Sequence, residues 1–192
     1  MSEILDFAWN EVPYVVFDTE TSGLGSMNRI CEISFVLAQR GEILDSYTTR
    51  VNPGRAIDPE ASAIHGITDA DVAGAPAFID VLDNALDYLC RDVPWVAHNL
   101  LFDIGMLRHD VPPDRWPRGI PTLCTLQASR RFSAGRRHRL IDVAERFGIE
   151  FEEEKAHGAL YDASITARLV PLLLGSRRVG SYYTKWSEDW LV

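Results

Sequence analysis

The spacing of apolar residues changes along the chain from that of β-strands to that of helices. A nearly continuous apolar run at about 13–20 predicts a central strand covered on both faces, and alternating apolar positions at 30–39 predict a second strand. A third β segment at 42–51 completes a predicted β-meander. Further on, helical patterns alternate with short apolar strands near 93–98 and 121–125. This order predicts an α/β fold in which a mixed sheet is flanked by helices.

The predicted helices mostly lie in the second half of the chain. They are expected at about 77–91, 99–110, 126–132, 139–148 and 157–174, with one helical turn at 61–65. Thr68 opens a capping-box pattern that predicts another short helix. Pro171 is expected to kink or end the last helix, because proline cannot donate to the helical ladder. Residues 1–11 are expected to be a loosely held lead-in.

Composition changes this picture little. A chain of 192 residues with 46% hydrophobic and 24% charged residues is typical of one globular domain, here residues 1–192 with a core at about 13–174 and a tail at 175–192. Because no run of about 18 apolar residues and no secretory signal are visible, we expect no membrane contact. The three widely spaced cysteines favour buried, reduced thiols in a cytoplasmic protein over disulfides or a zinc site.

The charge distribution is uneven. A formal net charge of −9 argues against a protein that coats nucleic acid through bulk charge. Basic residues are nevertheless clustered between Arg130 and Arg139. Such a cluster is usually a solvated surface, but it leaves open a local grip by Arg136, Arg137 and Arg139 on backbone phosphates.

The first candidate site follows the first predicted strand. Asp18 and Glu20 are two residues apart, so an extended chain places both side chains on one face. Since two like charges held side by side repel each other, a divalent cation with oxygen ligands is expected between them. The alternative is an exposed strand end with two solvated acids.

Two further acidic positions lie at the edges of predicted elements. Asp103 follows the strand that ends at His98, where open α/β sheets place ligands, although Asn99 and Asp103 could instead only cap and complement the helix. Asp162 lies on the last helix, five residues after His157. An imidazole titrates near neutral pH and suits a general base, but a plain surface histidine is the alternative.

Taken together, these motifs resemble the DnaQ-like 3′–5′ exonucleases of the DEDD superfamily, in the branch that carries a histidine (DEDDh). The matching segments are 17–24 (FDTETSGL), 60–68 (EASAIHGIT), 98–103 (HNLLFD), 140–149 (LIDVAERFGI) and 157–162 (HGALYD). The resemblance covers about residues 13–174. Cys124 departs from it, because members often carry an aspartate just before Thr-Leu.

The resemblance implies an RNase H-like fold with a mixed five-stranded sheet and helices on both faces. It also implies two Mg²⁺ or Mn²⁺ ions per site, held by four acids. Asp18 would bind both ions, Glu20 and Asp162 the first, and Asp103 the second. His157 would take the proton from the attacking water.

Substrate contacts are expected around the same motifs. By position, Leu24 would wedge against the terminal base, and the backbone at Thr21 would meet the terminal sugar. In the resembled family, the segment that includes Ile64 and His65 lies near the terminal nucleotide. The side chains expected to line the same cleft are His98, Asn99 and Phe102. For His65 and Phe102, a turn residue and a core aromatic remain the alternatives.

The expected activity is metal-dependent removal of nucleotides from single-stranded DNA 3′ ends in proofreading or repair, with a DNA polymerase as a candidate partner. An exonuclease that trims RNA 3′ ends or degrades oligoribonucleotides is the second interpretation, because no residue clearly reads the 2′-hydroxyl. A non-catalytic module that docks on a polymerase or a nucleic acid is the third. The sequence does not decide the oligomeric state, or whether Trp186 and Trp190 bind a partner.

Overall fold

A five-stranded mixed sheet forms the centre of the computed structural model, which describes residues 3–25 and 27–181. The strand order is β3-β2-β1-β4-β5, antiparallel among the first three and parallel from β1 to β5. The strands are β1 Tyr14–Thr21, β2 Ile30–Gln39, β3 Glu42–Arg50, β4 Trp95–Ala97 and β5 Thr122–Cys124. The mixed sheet predicted from the sequence is therefore confirmed.

Seven α-helices accompany the sheet in the described part of the chain. They are α1 Pro59–His65, α2 Asp69–Val72, α3 Phe78–Leu89, α4 Leu100–Asp110, α5 Thr125–Phe132, α6 Leu140–Arg146 and α7 Ala159–Leu174. Short 3₁₀ helices cover Glu3–Asp6, Glu153–Lys155 and Val179–Ser181. The capping box predicted at Thr68 is present, with Asp71 as its acid.

The sheet carries a hydrophobic core on each face, because β1 is apolar at odd and even positions alike. Val15 and Phe17 point to the face covered by α3 and α4. Tyr14 and Val16 point to the face covered by α5, α6 and α7. The Tyr14 hydroxyl donates a 2.9 Å hydrogen bond to the Ala167 carbonyl, which fixes α7 against the central strand. The helices lie on both faces, as predicted.

Two predictions about the periphery were wrong, whereas the predicted end of the last helix near residue 174 is confirmed, with Pro171 inside α7. The lead-in is not loosely held: Trp9 is completely buried, and its backbone N–H donates to the Arg177 carbonyl at 2.9 Å, a long-range pairing that local pattern does not show. Cys90 is exposed just after α3, whereas Cys31 and Cys124 are buried thiols.

Two remaining expectations concern the ends of the chain and membranes. Trp186 and Trp190 lie outside the described residues. Among the residues that the structure describes, no helix has the length and apolarity needed to span a bilayer.

Candidate active site

The end of the central strand presents Asp18 and Glu20 on one face of the sheet. Both follow Tyr14 and Val16 in the alternation of β1, so they point to the side that α7 covers. The residue between them, Thr19, points to the opposite side. Its N–H and its hydroxyl both donate to Asp103 Oδ1 on α4, at 3.0 and 2.8 Å. The end of β1 therefore carries Asp18 and Glu20 towards one face of the sheet and binds Asp103 of α4 on the other.

The fourth acid comes from the first turn of α7. Because Ala167 of this helix is fixed to Tyr14, the helix start lies over the end of β1. The backbone N–H of His157 donates to Asp162 Oδ2 at 3.3 Å. Asp162 Oδ1 is buried and has no hydrogen-bond partner within the described chain. His157 is exposed and has a φ of 59°, a strained value for a residue other than glycine.

The electrostatics show that these acids share one site. Burial, and then the charges of Asp103, Glu20, Asp162 and Glu32, raise the pKa of Asp18 well above its usual value. Burial and neighbouring carboxylates raise the pKa of Glu20 to about 8. Burial raises the pKa of Asp103 to about 7 against the opposing Thr19 bonds, and that of Asp162 to about 6 against the nearby His157. Bringing these carboxylates together costs the folded state free energy.

The donor set fits a divalent cation. Within the described residues, no three histidine, cysteine or acidic side chains are arranged as a formed metal-binding cluster. The fit depends instead on chemistry: four carboxylates converge, their charges repel, and the buried Asp162 Oδ1 has no donor. Oxygen-only donors of this kind suit hard cations such as Mg²⁺.

Metal-free protein is expected to lose stability as the pH rises from about 5 to about 8. The raised pKa values mean that the folded site binds more protons than the unfolded chain, whose aspartate and glutamate pKa values lie near 4. The stabilising contribution is complete below pH ~4 and is lost as the pH passes the folded values of about 6 to 8. The measurement is the Tm in EDTA at both ends of this range. A Tm that rises with pH would contradict the shared site.

Glu32 is a fifth carboxylate at this site that the sequence motifs did not reveal. It pairs with Glu20 in the antiparallel register of β1 and β2, and its Oε2 accepts a 3.0 Å bond from the Ala159 N–H at the start of α7. Arg50 lies 3.9 Å from its other oxygen. The sequence feature that could have identified Glu32 is the presence of an acid within a largely apolar strand. Glu32 thus helps to place the helix that carries Asp162.

A pocket of about 360 Å³ opens beside the carboxylates. The predicted contacts that line it are Thr21, Leu24, Ile64, His65 and Phe102. Leu24 and Ile64 expose 86% and 59% of their surface, so an apolar ledge faces solvent at the pocket mouth. The sequence left open whether Phe102 is a substrate contact or a core aromatic. In the structure Phe102 packs against the core and also lines the pocket.

Two of these side chains, those of Thr21 and His65, form hydrogen bonds within the protein. His65 Nδ1 accepts from the Ile67 N–H at 3.1 Å, so its Nε2 donates to the Thr21 carbonyl at 3.1 Å. The Thr21 hydroxyl donates to the Gly23 carbonyl at 2.8 Å. Both residues shape the pocket wall; the two ring nitrogens of His65 are engaged, whereas the Thr21 hydroxyl oxygen can still accept a hydrogen bond.

His98 and Asn99 line a different cavity. This neighbouring cleft of about 790 Å³ is also lined by Arg130, Arg136 and Arg137. Asn99, the residue just before α4, has a φ of 76° and makes no side-chain cap bond, so the capping alternative is not observed. The structure therefore separates these two predicted contacts from the pocket that holds Phe102.

The His98 ring is fixed on both sides. Its Nε2 donates to the His138 carbonyl at 2.9 Å. Burial lowers its pKa to about 4, so the ring is neutral, and Nδ1 accepts from the Thr125 hydroxyl at 2.9 Å. His98 connects the end of β4 to the segment after α5.

Comparison with known proteins agrees with this geometry. The sequence profile of a family described as "Exonuclease" matches residues 15–170. The PolC-type DNA polymerase III of Streptococcus mutans is 33% identical over 177 residues, which cover 88% of this chain. The corresponding protein of Streptococcus pyogenes serotype M1 is 33% identical over 183 residues, or 92% of the chain. The chain spans only 12% of the length of each of these relatives.

Solved structures show the same architecture. Exonuclease X, solved in complex with 5′ overhanging duplex DNA, is 31% identical and superimposes with a TM-score of 0.68, over 83% of this chain and 90% of its own. Escherichia coli exonuclease I, solved with a dT13 oligonucleotide, gives a TM-score of 0.70 at 18% identity, over 84% of this chain and 41% of its own. The second likeness supports the fold alone.

Proposed function

This chain belongs to the exonuclease family and has the fold of a DnaQ-like 3′–5′ exonuclease, and we propose that it removes nucleotides from the 3′ ends of single-stranded DNA, in proofreading or repair. One observation carries the proposal: acids from β1, α4 and α7 converge beside a pocket large enough for one nucleoside. A module that only docks on a partner has no need for carboxylates that destabilise it.

Enzymes of this family generally depend on divalent metal ions, and we propose Mg²⁺ or Mn²⁺, two per site. Asp18, Glu20, Asp103 and Asp162 would hold them. When bound, such ions neutralise developing charge and lower the pKa of a coordinated water. Thr19 keeps Asp103 oriented through two hydrogen bonds, and Glu32 keeps the start of α7 in place.

The remaining chemistry belongs to the chain's own side chains. His157 lies near Asp162 at the solvent-exposed edge of the site, where it can accept the proton of the attacking water. Leu24, Ile64 and Phe102 provide apolar contacts to the terminal nucleoside, and Phe102 offers a ring for stacking that tolerates any base. The leaving strand ends in a 3′-hydroxyl, and a nucleoside 5′-monophosphate is released.

DNA is favoured as substrate by the similar proteins. The relatives are PolC-type DNA polymerases III, and exonuclease X was solved with DNA. The same similarity supports a role beside a DNA polymerase. RNA remains the second candidate, because the Thr21 hydroxyl, which donates to the Gly23 carbonyl, can still accept a hydrogen bond from a 2′-hydroxyl.

The test uses 5′-labelled single-stranded DNA and RNA of one sequence, incubated with Mg²⁺, Mn²⁺ or EDTA. We expect a ladder that shortens from the 3′ end on DNA, faster than on RNA, only with metal. Faster degradation of RNA would favour the RNA exonuclease. Intact DNA and RNA under every condition would instead support the docking module.

A further inference from the structure

The basic cleft beside the pocket is not used by the chemistry described above. Four arginines line it, Arg130, Arg136, Arg137 and Arg139. Its volume of about 790 Å³ lies within the usual range of ligand sites, about 300–1,000 Å³. All four side chains are exposed to solvent.

Within the described residues, three of the four arginines in this cleft, Arg130, Arg136 and Arg137, have no ion-pair partner. Arg139 differs, because it donates to both oxygens of Asp142, at 2.8 and 3.1 Å. The sequence suggested Arg139 as a phosphate contact, but the structure assigns its charge to Asp142. In a chain of net charge −9, three exposed arginines without an ion pair in the described part of the chain form a local site for an anion.

The segment that carries two of these arginines is anchored in several places. The His98 ring holds the His138 carbonyl, and the Ser129 hydroxyl lies 2.9 Å from His138 Nδ1. Arg146 Nη2 donates to the Arg137 carbonyl at 2.6 Å. The backbone beneath the arginines is therefore positioned before a ligand arrives, which reduces the entropy lost on binding.

The cleft and the nucleoside pocket adjoin each other on the first turn of α4. Asn99 lines the cleft and Phe102 lines the pocket, and the Phe102 N–H donates to the Asn99 carbonyl at 2.9 Å. A strand whose terminal nucleoside occupies the pocket thus has a positively charged surface one helical turn away. Its next phosphates need such a surface, because the catalytic acids repel them.

We propose that the basic cleft binds the backbone phosphates of the substrate strand upstream of the scissile bond. The proposal rests on the exonuclease function above and adds a requirement on substrate length. Arginine–phosphate contacts are charge-assisted and independent of base sequence. Strands that reach the cleft should bind tightly and with a strong salt dependence, whereas a single nucleotide ester has no phosphate there.

The test compares wild type with the double variant R136A/R137A on two substrates. One is a DNA strand of about twelve nucleotides, and the other is the 4-nitrophenyl ester of thymidine 5′-monophosphate, which contains only the scissile phosphodiester. For the variant we expect a roughly tenfold higher KM on the strand, with little change in kcat. The ratio of kcat/KM for the strand to kcat/KM for the ester should fall at least about fivefold. The slope of log KM against the logarithm of the salt concentration should become shallower by about one to two.

R118A is the control for loss of positive charge away from the cleft, because Arg118 is exposed in the loop before β5, at the opposite end of the parallel strands. Its KM on the strand should stay at the wild-type value. A double variant with unchanged KM and unchanged salt dependence would overturn the cleft proposal while leaving the exonuclease function in place. If wild type hydrolyses neither substrate with Mg²⁺ or Mn²⁺, the proposed function itself fails.

Discussion

Replacing Asp18 by asparagine is expected to lower the rate of nucleotide release by about 10³-fold or more, with the fold retained. Asp18 lies at the centre of the acids, since the charges of four other carboxylates act on it. An amide keeps the size of the side chain but loses the charge that holds a cation, and metal assistance is worth several kcal/mol of barrier. The measurement is the rate on labelled single-stranded DNA with Mg²⁺ and with Mn²⁺.

The same substitution separates catalysis from stability. Because the carboxylate of Asp18 is buried among like charges, its removal should leave the Tm in EDTA equal to that of wild type or higher at pH ~8. The increase in Tm that metal gives wild type should be reduced or lost. D110N is the matched control, since burial also raises the pKa of Asp110, at the far end of α4. Wild-type activity in D18N would remove Asp18 from the site.

Replacing His157 by alanine is expected to lower kcat by roughly 10²–10⁴-fold, the usual effect of losing a general base. The side chain is exposed, and the hydrogen bond from residue 157 to Asp162 is made by the backbone N–H, which alanine preserves. Binding of metal should therefore persist, and the metal-dependent increase in Tm should remain close to that of wild type. The measurement is kcat across pH together with Tm with and without metal.

The control for this variant is H109A, an equal truncation of another exposed histidine, located on α4 away from the acids. It should retain wild-type kcat. If H157A keeps the pH–rate profile of wild type, His157 is not the base. If it instead loses the metal-dependent Tm increase, the strained backbone at position 157 acts mainly by positioning Asp162.

The strands and most helices follow directly from local patterns. The run before Asp18 is apolar at every position, which suits a strand buried on both faces, and β1 occupies that place. Strand β2 begins and ends as predicted, because alternation and flanking turns are local properties. The pattern failed at Trp9, where pairing of the lead-in with the segment after α7 outweighs local preference.

The roles of polar side chains were harder to predict than their positions. His65, His98 and Arg139 each stand in or beside a motif, yet each is engaged by a partner within the protein. A hydrogen bond depends on angles and on distances of a few tenths of an ångström, which sequence spacing does not specify. Glu32 was missed for the same reason, because its importance comes from register with Glu20 and contact with α7.

By itself, the sequence determined the order of the elements and the identity of the acids, since periodicity and residue chemistry depend only on which residue stands at each position. Only the tertiary structure decided that burial raises the pKa values of all four acids, that Asp103 and Asp162 further raise those of Asp18 and Glu20, and that Phe102 and Asn99 belong to different cavities. It also decided which arginines remain available for a phosphate and which one belongs to Asp142. The reason is physical: charge repulsion, burial and hydrogen bonding depend on distances between residues far apart in sequence, and folding alone sets those distances.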